Sequence, residues 1–296
     1  MILGVHHVAI STPRPAAPDH GVGKILLLRP MANLEDGTLL AAPNVYLLNQ
    51  EAASSGVRRA PTPDAPGLAH LCLQSPEAAA LWESLGADLA IAWTAPLTGL
   101  GGPFRYAYGY GRDGLMWELE ETPATPTAGP NVWLAHLAFA TQDLKRLAGF
   151  YGRLLDRPIS EGATLAGSRR ADRITGLAGV AMTPAWVNGL NLGLEFWRFD
   201  APTSSPFKPE PDGAGLAALC LQTDDLRVDL AHAVRAGATL EDGAHPWAGG
   251  RRARLSDPDG NALHLLQLPD NDPLDVRRLP HAGVLALHAR SMEALA

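Results

Sequence analysis

Cysteine is scarce in this chain: Cys72 and Cys220 are the only two in 296 residues. Both lie within apolar runs, at equivalent points of a repeat described below. That argues against a disulfide framework and for a reducing, cytoplasmic setting. No apolar run approaches the roughly 18 residues that a membrane span needs. The opening MILGVHHVAI has no basic flank and carries two histidines inside its apolar stretch, so it reads as a first strand rather than a signal peptide. No basic block exists, and the net charge is −7, which excludes nucleic acid as the expected partner.

What is plentiful points to strands. There are 25 prolines and 30 glycines, which fit short strands with tight turns better than a helical bundle. Hydrophobic residues make up 46% of the chain, and its length suits two domains of about 130–150 residues. The segment Gly67–Ser75 (GLAHLCLQS) returns as Gly215–Thr223 (GLAALCLQT), with seven of nine positions identical at an offset of 148. An internal repeat of this kind fixes the architecture before any other reading. His70 of the first copy is Ala218 in the second.

The same phrase occurs four times. His7 is followed five residues later by Thr12, His70 by Ser75, His136 by Thr141 and Ala218 by Thr223. Each is an apolar strand ending in a hydroxyl residue placed to cap a helix. This phasing selects His7 over His6 as the counterpart of His70. Helices are expected over 77–85, from Thr141 to about Leu155, and over 224–236. The second of these puts Leu144, Leu147, Phe150, Tyr151 and Leu154 on one face. In the first copy, Pro13, Pro15 and Pro18 rule out a helix interior over 13–23. Each unit then ends in strands, the last of them at 44–49, 115–120, 190–196 and 261–267. The Pro/Thr-rich stretch 122–130 reads as a linker, and 269–296 as a Pro-broken tail with a short helix near 285–295.

Four strand–helix–strand units with an early His and a late Glu resemble the vicinal oxygen chelate superfamily, which includes glyoxalases, bleomycin-resistance proteins and extradiol dioxygenases. The segments that carry the resemblance are NVWLAHLAFATQDLKRLAGFYGRLLDRPI (131–159), ARLSDPDGNALHLLQL (253–268) and GLMWELEE (114–121). The resemblance covers residues 4–268. It implies an α+β fold of four βαβββ units paired two by two into glyoxalase-like barrels, the first unit without its helix. The expected domains are 1–123 and 131–268, followed by the tail 269–296.

Carried over position by position, the resemblance implies a metal site of His7, His70 and Glu118 in the first domain. A second, weaker set is His136, Glu195 and His264, with Leu47 or Leu48 and Ala218 at the remaining positions. Imidazole and carboxylate donors suit borderline divalent metals, and two His with one carboxylate leave positions free for substrate and O₂. Fe(II) is therefore favoured, with Mn(II), Zn(II), Ni(II) or Co(II) as alternatives. Glu118, Tyr106 and Arg105 are the candidate catalytic residues, since the strand GPFRYAYGYG precedes that of Glu118 and alternate members face the cavity. Arg169, Arg170 and Arg173 read as part of a solvated loop. Cys72 reads as a small buried filler.

The leading expectation is a metal-dependent dioxygenase-type oxidoreductase acting on a small molecule that chelates through adjacent oxygens. One alternative is a redox-neutral glyoxalase- or epimerase-type lyase or isomerase. Another is a binding protein of the bleomycin-resistance kind. A homodimer is left open.

Overall fold

The computed structural model describes residues 1–13, 25–88, 91–111, 114–123 and 130–283. The four units are present. The first holds β1 (Ile2–Thr12), β2 (Arg29–Leu34), β3 (Gly37–Ala41) and β4 (Tyr46–Glu51). The second holds β5 (Gly67–Ser75), α1 (Ala78–Asp88), β6 (Ala92–Trp93), β7 (Thr98–Gly99), β8 (Arg105–Tyr110) and β9 (Met116–Glu121). The third holds β10 (Trp133–Ala140), α2 (Leu144–Leu155), β11 (Ile159–Glu161), β12 (Leu165–Ala166), α3 (Arg169–Thr175), β13 (Ala181–Val187) and β14 (Gly193–Ala201). The fourth holds β15 (Gly215–Thr223), α4 (Leu226–Ala236), β16 (Thr239–Trp247), β17 (Gly250–Ser256) and β18 (Ala262–Gln267). The expected helix loss over 13–23, the linker 122–130 and the terminal helix near 285–295 fall largely or wholly outside the described residues.

The pairing of units differs from the consecutive one. An eight-stranded sheet runs β16-β17-β18-β15-β1-β4-β3-β2, and a ten-stranded sheet has the path β11-β13-β14-β10-β5-β9-β8-β6 with β7 and β12 at its margins. The first unit therefore pairs with the fourth, and the second with the third. The stretches 1–123 and 131–268 each give half of both sheets rather than forming one barrel apiece. At both seams, first strand meets first strand in antiparallel register: β1 on β15 and β5 on β10.

The connections permit this arrangement. Residues 52–66 carry the chain from the first sheet to the second, and 202–214 carry it back. Fifteen extended residues reach roughly 50 Å, so chain order does not force neighbours to pair. The two crossings run side by side, with Arg58 N–H donating to the Ala214 carbonyl at 2.8 Å and Ala214 N–H to the Gly56 carbonyl at 2.9 Å. Their approach requires glycine, because a Cβ on Gly213 would lie 2.5 Å from the Gly56 carbonyl oxygen.

Two buried asparagines tie the sheets together. Asn44 Nδ2 donates to the carbonyls of Leu134 and Asn191, both at 2.7 Å. Asn191 answers across the same gap, accepting from Val5 N–H at 2.8 Å and donating to the carbonyls of Val5 and Asn44. Amide side chains suit this place because each offers both a donor and an acceptor to backbone that would otherwise be buried unpaired.

Alternation along the strands separates two environments. Leu71, Leu73, Trp117, Leu119, Leu137, Phe139, Leu194 and Phe196 belong to one apolar cluster, which also takes in Leu147, Phe150, Tyr151 and Leu154 of α2 as the helical spacing predicts. The intervening positions of the same strands face the opposite side and carry the polar residues discussed next. Helix starts differ in detail from the expectation. Asp143 and Asp225 cap α2 and α4, accepting from Arg146 N–H and Val228 N–H. Thr141 and Thr223 sit two residues earlier and accept from the amides of those aspartates. No helix among the described residues is long and apolar enough to cross a membrane.

Candidate metal centre

Four side chains converge on the polar face of the second sheet. His70 comes from β5 and Glu118 from its parallel neighbour β9; His136 comes from β10 and Glu195 from its parallel neighbour β14. The β5–β10 seam sets the two pairs against each other. His136 Nε2 stands 2.8 Å from Glu118 Oε2 and 3.2 Å from Glu195 Oε2. His70 Nε2 stands 3.2 Å from Glu118 Oε2 and 3.5 Å from Glu195 Oε2. Both imidazoles thus present Nε2, and both carboxylates present one oxygen, to a common centre.

The spacing fits a metal ion. Donors held about 2.0–2.2 Å from one ion stand about 3 Å apart as neighbours on an octahedron and about 3.4 Å apart on a tetrahedron. Burial argues the same way. His70, Glu118 and Glu195 are buried, and Glu195 Oε2 makes no hydrogen bond. Two carboxylates out of water in one place need a cation between them. Burial by itself would raise the Glu118 carboxyl, but hydrogen bonds from His136 and His70 outweigh it and hold it at about 2. Glu195 is likewise held below its ordinary value despite burial, chiefly by His136. Burial works against charge on His136, yet Cys72, Glu195 and Glu118 raise its imidazole well above the usual range. Both carboxylates are thus present as the anions a metal requires.

A second polar layer lies beside the four. Cys72 Sγ is 3.7 Å from Glu120 Oε2, and burial lifts the thiol well above its ordinary value. Burial and the Glu118 charge push the Glu120 carboxyl up to about 8. Tyr106 faces Glu120 across the β8–β9 pair and Tyr108 faces Glu118. The Tyr108 ring also lies 5.1 Å from that of His70. Ile174 of α3 packs on Tyr108 and Met116, and Thr94 Oγ1 donates to the Ile174 carbonyl, so α3 closes this side of the cup.

The grouping inferred from the sequence is thus rearranged. His70 and Glu118 stay together but without His7; His136 and Glu195 join them, without His264. His7 and His264 belong to the first sheet, because the fourth unit, not the second, pairs with the first. Arg105 lies on the other face of β8, where its guanidinium pairs with Glu121 at an exposed edge. Tyr106 is on the site's face, one strand step further from the carboxylates than Tyr108. The arginines of 162–176 lie on a helix rather than a loop, and Arg169, Arg170 and Arg173 point to solvent. Trp186, which donates from Nε1 to Glu195 Oε1 at 2.9 Å, was not singled out from the sequence. Its signal was there: an aromatic nine residues before Glu195 matches Tyr108 ten before Glu118, each across one hairpin.

The first sheet has a matching cup without the carboxylates. Its corresponding positions hold His7, Leu48, Ala218 and His264. A bulge in β1 between Val5 and His7 turns both adjacent histidines into this cup, where His6 Nδ1 and His7 Nδ1 lie 2.8 Å apart. The segment after β18 fills the cup: Leu274, Val276, Leu279 and Ala282 share one buried cluster with Tyr46, Leu48, Trp247 and Leu266. His6 Nε2 meets the Leu274 carbonyl at 3.0 Å.

Comparison with known proteins bears on the fold. Residues 136–266 match the family model of a glyoxalase-like domain. No curated protein matches the sequence. The crystal structure of glyoxalase I from Zea mays is similar with a TM-score of 0.63 and 16% identity, over 89% of this chain and 92% of that one. A protein described as a "putative dioxygenase" from Bacillus subtilis is similar with a TM-score of 0.56 and 11% identity, over 100% of this chain and 96% of that one. At such identities the likeness speaks for the fold alone. Residues 136–266 match a glyoxalase-like domain, and the fold of the chain as a whole is similar to that of the Zea mays glyoxalase I.

Proposed function

We propose that this protein is a divalent-metal enzyme of the redox-neutral, glyoxalase-like kind. It would move a proton between adjacent carbons of a small substrate that binds through two neighbouring oxygens. The observation that carries this reading is the number of donors. His70, Glu118, His136 and Glu195 together would occupy four positions of a six-coordinate ion, leaving two. A substrate's two neighbouring oxygens would suit both. A two-His, one-carboxylate set would leave a third for O₂, and that arrangement, favoured from the sequence, is not the one the cluster supports.

A metal held by these residues would act as a Lewis acid, drawing electron density from the carbon next to the bound oxygens. The protein supplies the rest. The two imidazoles and two carboxylates fix the substrate's position. Glu118 or Glu195, when its carboxylate is not holding the ion, would be placed to take the proton from the activated carbon and return it to its neighbour. Tyr106 and Tyr108 line the same face, and α3 excludes water on their side. The donor set accepts Zn(II), Ni(II), Co(II), Mn(II) or Fe(II), and iron loses the preference it had under the three-donor reading. The centre is complete within one chain, so a homodimer is not required to build it.

A second reading is dioxygenase-type oxidation, favoured by the full-length likeness to the Bacillus subtilis protein. One experiment separates the two. The metal-reconstituted protein is offered a panel of small carbonyl compounds with oxygen on the adjacent carbon, in D₂O, with and without air. Equal turnover without O₂, with deuterium at the shifted carbon and none in His70→Ala, is the expected result. Turnover that stops without O₂ would establish the oxidative reading instead. No exchange with any of the five metals would leave a binding protein.

A further inference from the structure

We propose that Tyr108 and Trp186 are paired positioning residues. Each holds the outer oxygen of one site carboxylate, so that Glu118 and Glu195 each turn a single oxygen to the metal. This rests on the metal reading above.

The two residues hold matching places in the two units. Tyr108 is directly opposite Glu118 in the antiparallel pair β8–β9, and Trp186 is directly opposite Glu195 in β13–β14. Trp186 Nε1 donates to Glu195 Oε1 at 2.9 Å, leaving Oε2 towards the imidazoles. Tyr108 stands across the strand pair from Glu118, with its ring 5.1 Å from that of His70, and Glu118 Oε2 meets both imidazoles. The last torsion of a glutamate is broad and roughly two-fold, so nothing in the side chain itself decides which oxygen turns inward. A donor on one oxygen decides it, and a hydrogen bond to an ionised acceptor is among the stronger kinds. Without that donor the carboxylate is free to turn both oxygens inward and occupy a position the substrate needs. Groups that hold ligands in this way commonly set metal affinity as much as the ligands do.

The test uses the full chain and Co(II), whose visible absorption reports coordination number and symmetry. Trp186→Phe keeps the ring and removes the donor; Tyr108→Phe removes only the hydroxyl. Trp197→Phe is the control, because Trp197 Nε1 is buried with no hydrogen-bond partner. Co(II) affinity should fall by about 10–100-fold in Trp186→Phe and in Tyr108→Phe, with altered visible bands, and stay unchanged in Trp197→Phe. A merely structural role would lower the melting temperature of the metal-free protein and leave the bands as in wild type. Wild-type affinity and spectrum in both variants, with Glu195→Ala losing Co(II), would overturn this inference and leave the metal centre standing. A wild-type protein that takes up no Co(II) would overturn both. Should Trp186→Phe not fold, Tyr108→Phe decides alone, since it deletes one oxygen and keeps the packing.

Discussion

Acid should unfold this protein through its metal-free cup. His6 is fully buried, and that burial pushes its imidazole down to about 4 from an ordinary 6.5, despite the Leu274 carbonyl beside it. His264 is pushed down to about 3 by burial and then by Arg252. His7 is lowered by burial and by His6. All three are neutral in the fold at neutral pH. The unfolded chain binds protons at these sites below about 6.5, where the fold does not, so stability drops as pH falls from 6.5 towards 4. At pH 5 a fully buried histidine of this kind favours the unfolded state by about 2 kcal/mol. His264 is partly exposed, so about half that, or roughly 1 kcal/mol, is assigned to it. His6 and His264 together thus remove about 3 kcal/mol between pH 7.5 and 5, out of a total stability of about 5–15 kcal/mol. The assay is urea unfolding of chelator-treated protein at both pH values, comparing wild type with His6→Gln/His264→Gln. His136 and Glu120 run the opposite way in the metal-free protein, since both are raised, and comparison of variant with wild type at each pH cancels them. Glu118, held at about 2, titrates below the range, as does Glu195, held below its ordinary value. The double variant should lose about 3 kcal/mol of the pH-dependent drop. An identical drop in variant and wild type would refute the reasoning.

Other consequences are as direct. Asn191→Ala removes three buried hydrogen bonds between the sheets and should cost about 3 kcal/mol in chemical denaturation, at about 1 kcal/mol each; a cost within error would mean that water replaces the amide. Metal at a thousandfold excess over its Kd stabilises by about 4 kcal/mol, so chelation should lower Tm by about 10 °C in wild type. His70→Ala should show no such shift, and an equal shift there would place the metal elsewhere. Residues 1–130 and 131–296 produced separately should not fold, because each carries one strand of both seams; co-expression should restore one soluble complex, and a well-folded half on its own would contradict the pairing.

Much of this was legible in the sequence. The repeated phrase located β1, β5, β10 and β15, and the family resemblance put His70, His136, Glu118 and Glu195 at candidate ligand positions, where the structure has them face to face. The partition into sites was not legible. His7 and His70 carry the same local signature, and nothing near either says which seam it joins. That choice is made by connections of low regularity and by Asn44 and Asn191, whose significance shows only when each is seen to bond the other sheet. For a narrower reason, the sequence does not separate Tyr106 from Tyr108. Period-two alternation puts both on the site's face, and only cross-strand register sets Tyr108 against Glu118. Arg105, one residue from Tyr106, is on the opposite face by the same alternation.

The two cups show why one site keeps its donors. Each has four places where the first and last strands of two units meet. In the second sheet these are His70, Glu118, His136 and Glu195, two neutral and two anionic donors that a divalent cation balances. In the first they are His7, Leu48, Ala218 and His264, with no carboxylate among them. A cation already stands there: Arg252 is buried, lies over the Trp247 ring at 4.8 Å and pairs with Asp36 at 2.6 Å. A divalent ion would find no carboxylate at the four positions, so imidazoles alone would have to hold it. The apolar side chains of 274–282 then close over the space. Without carboxylates the cup has no anionic donor that requires a cation, and burying the histidines neutral is the cheaper arrangement. The cost is the pH sensitivity worked out above, and it falls on the sheet that does not carry the candidate metal centre.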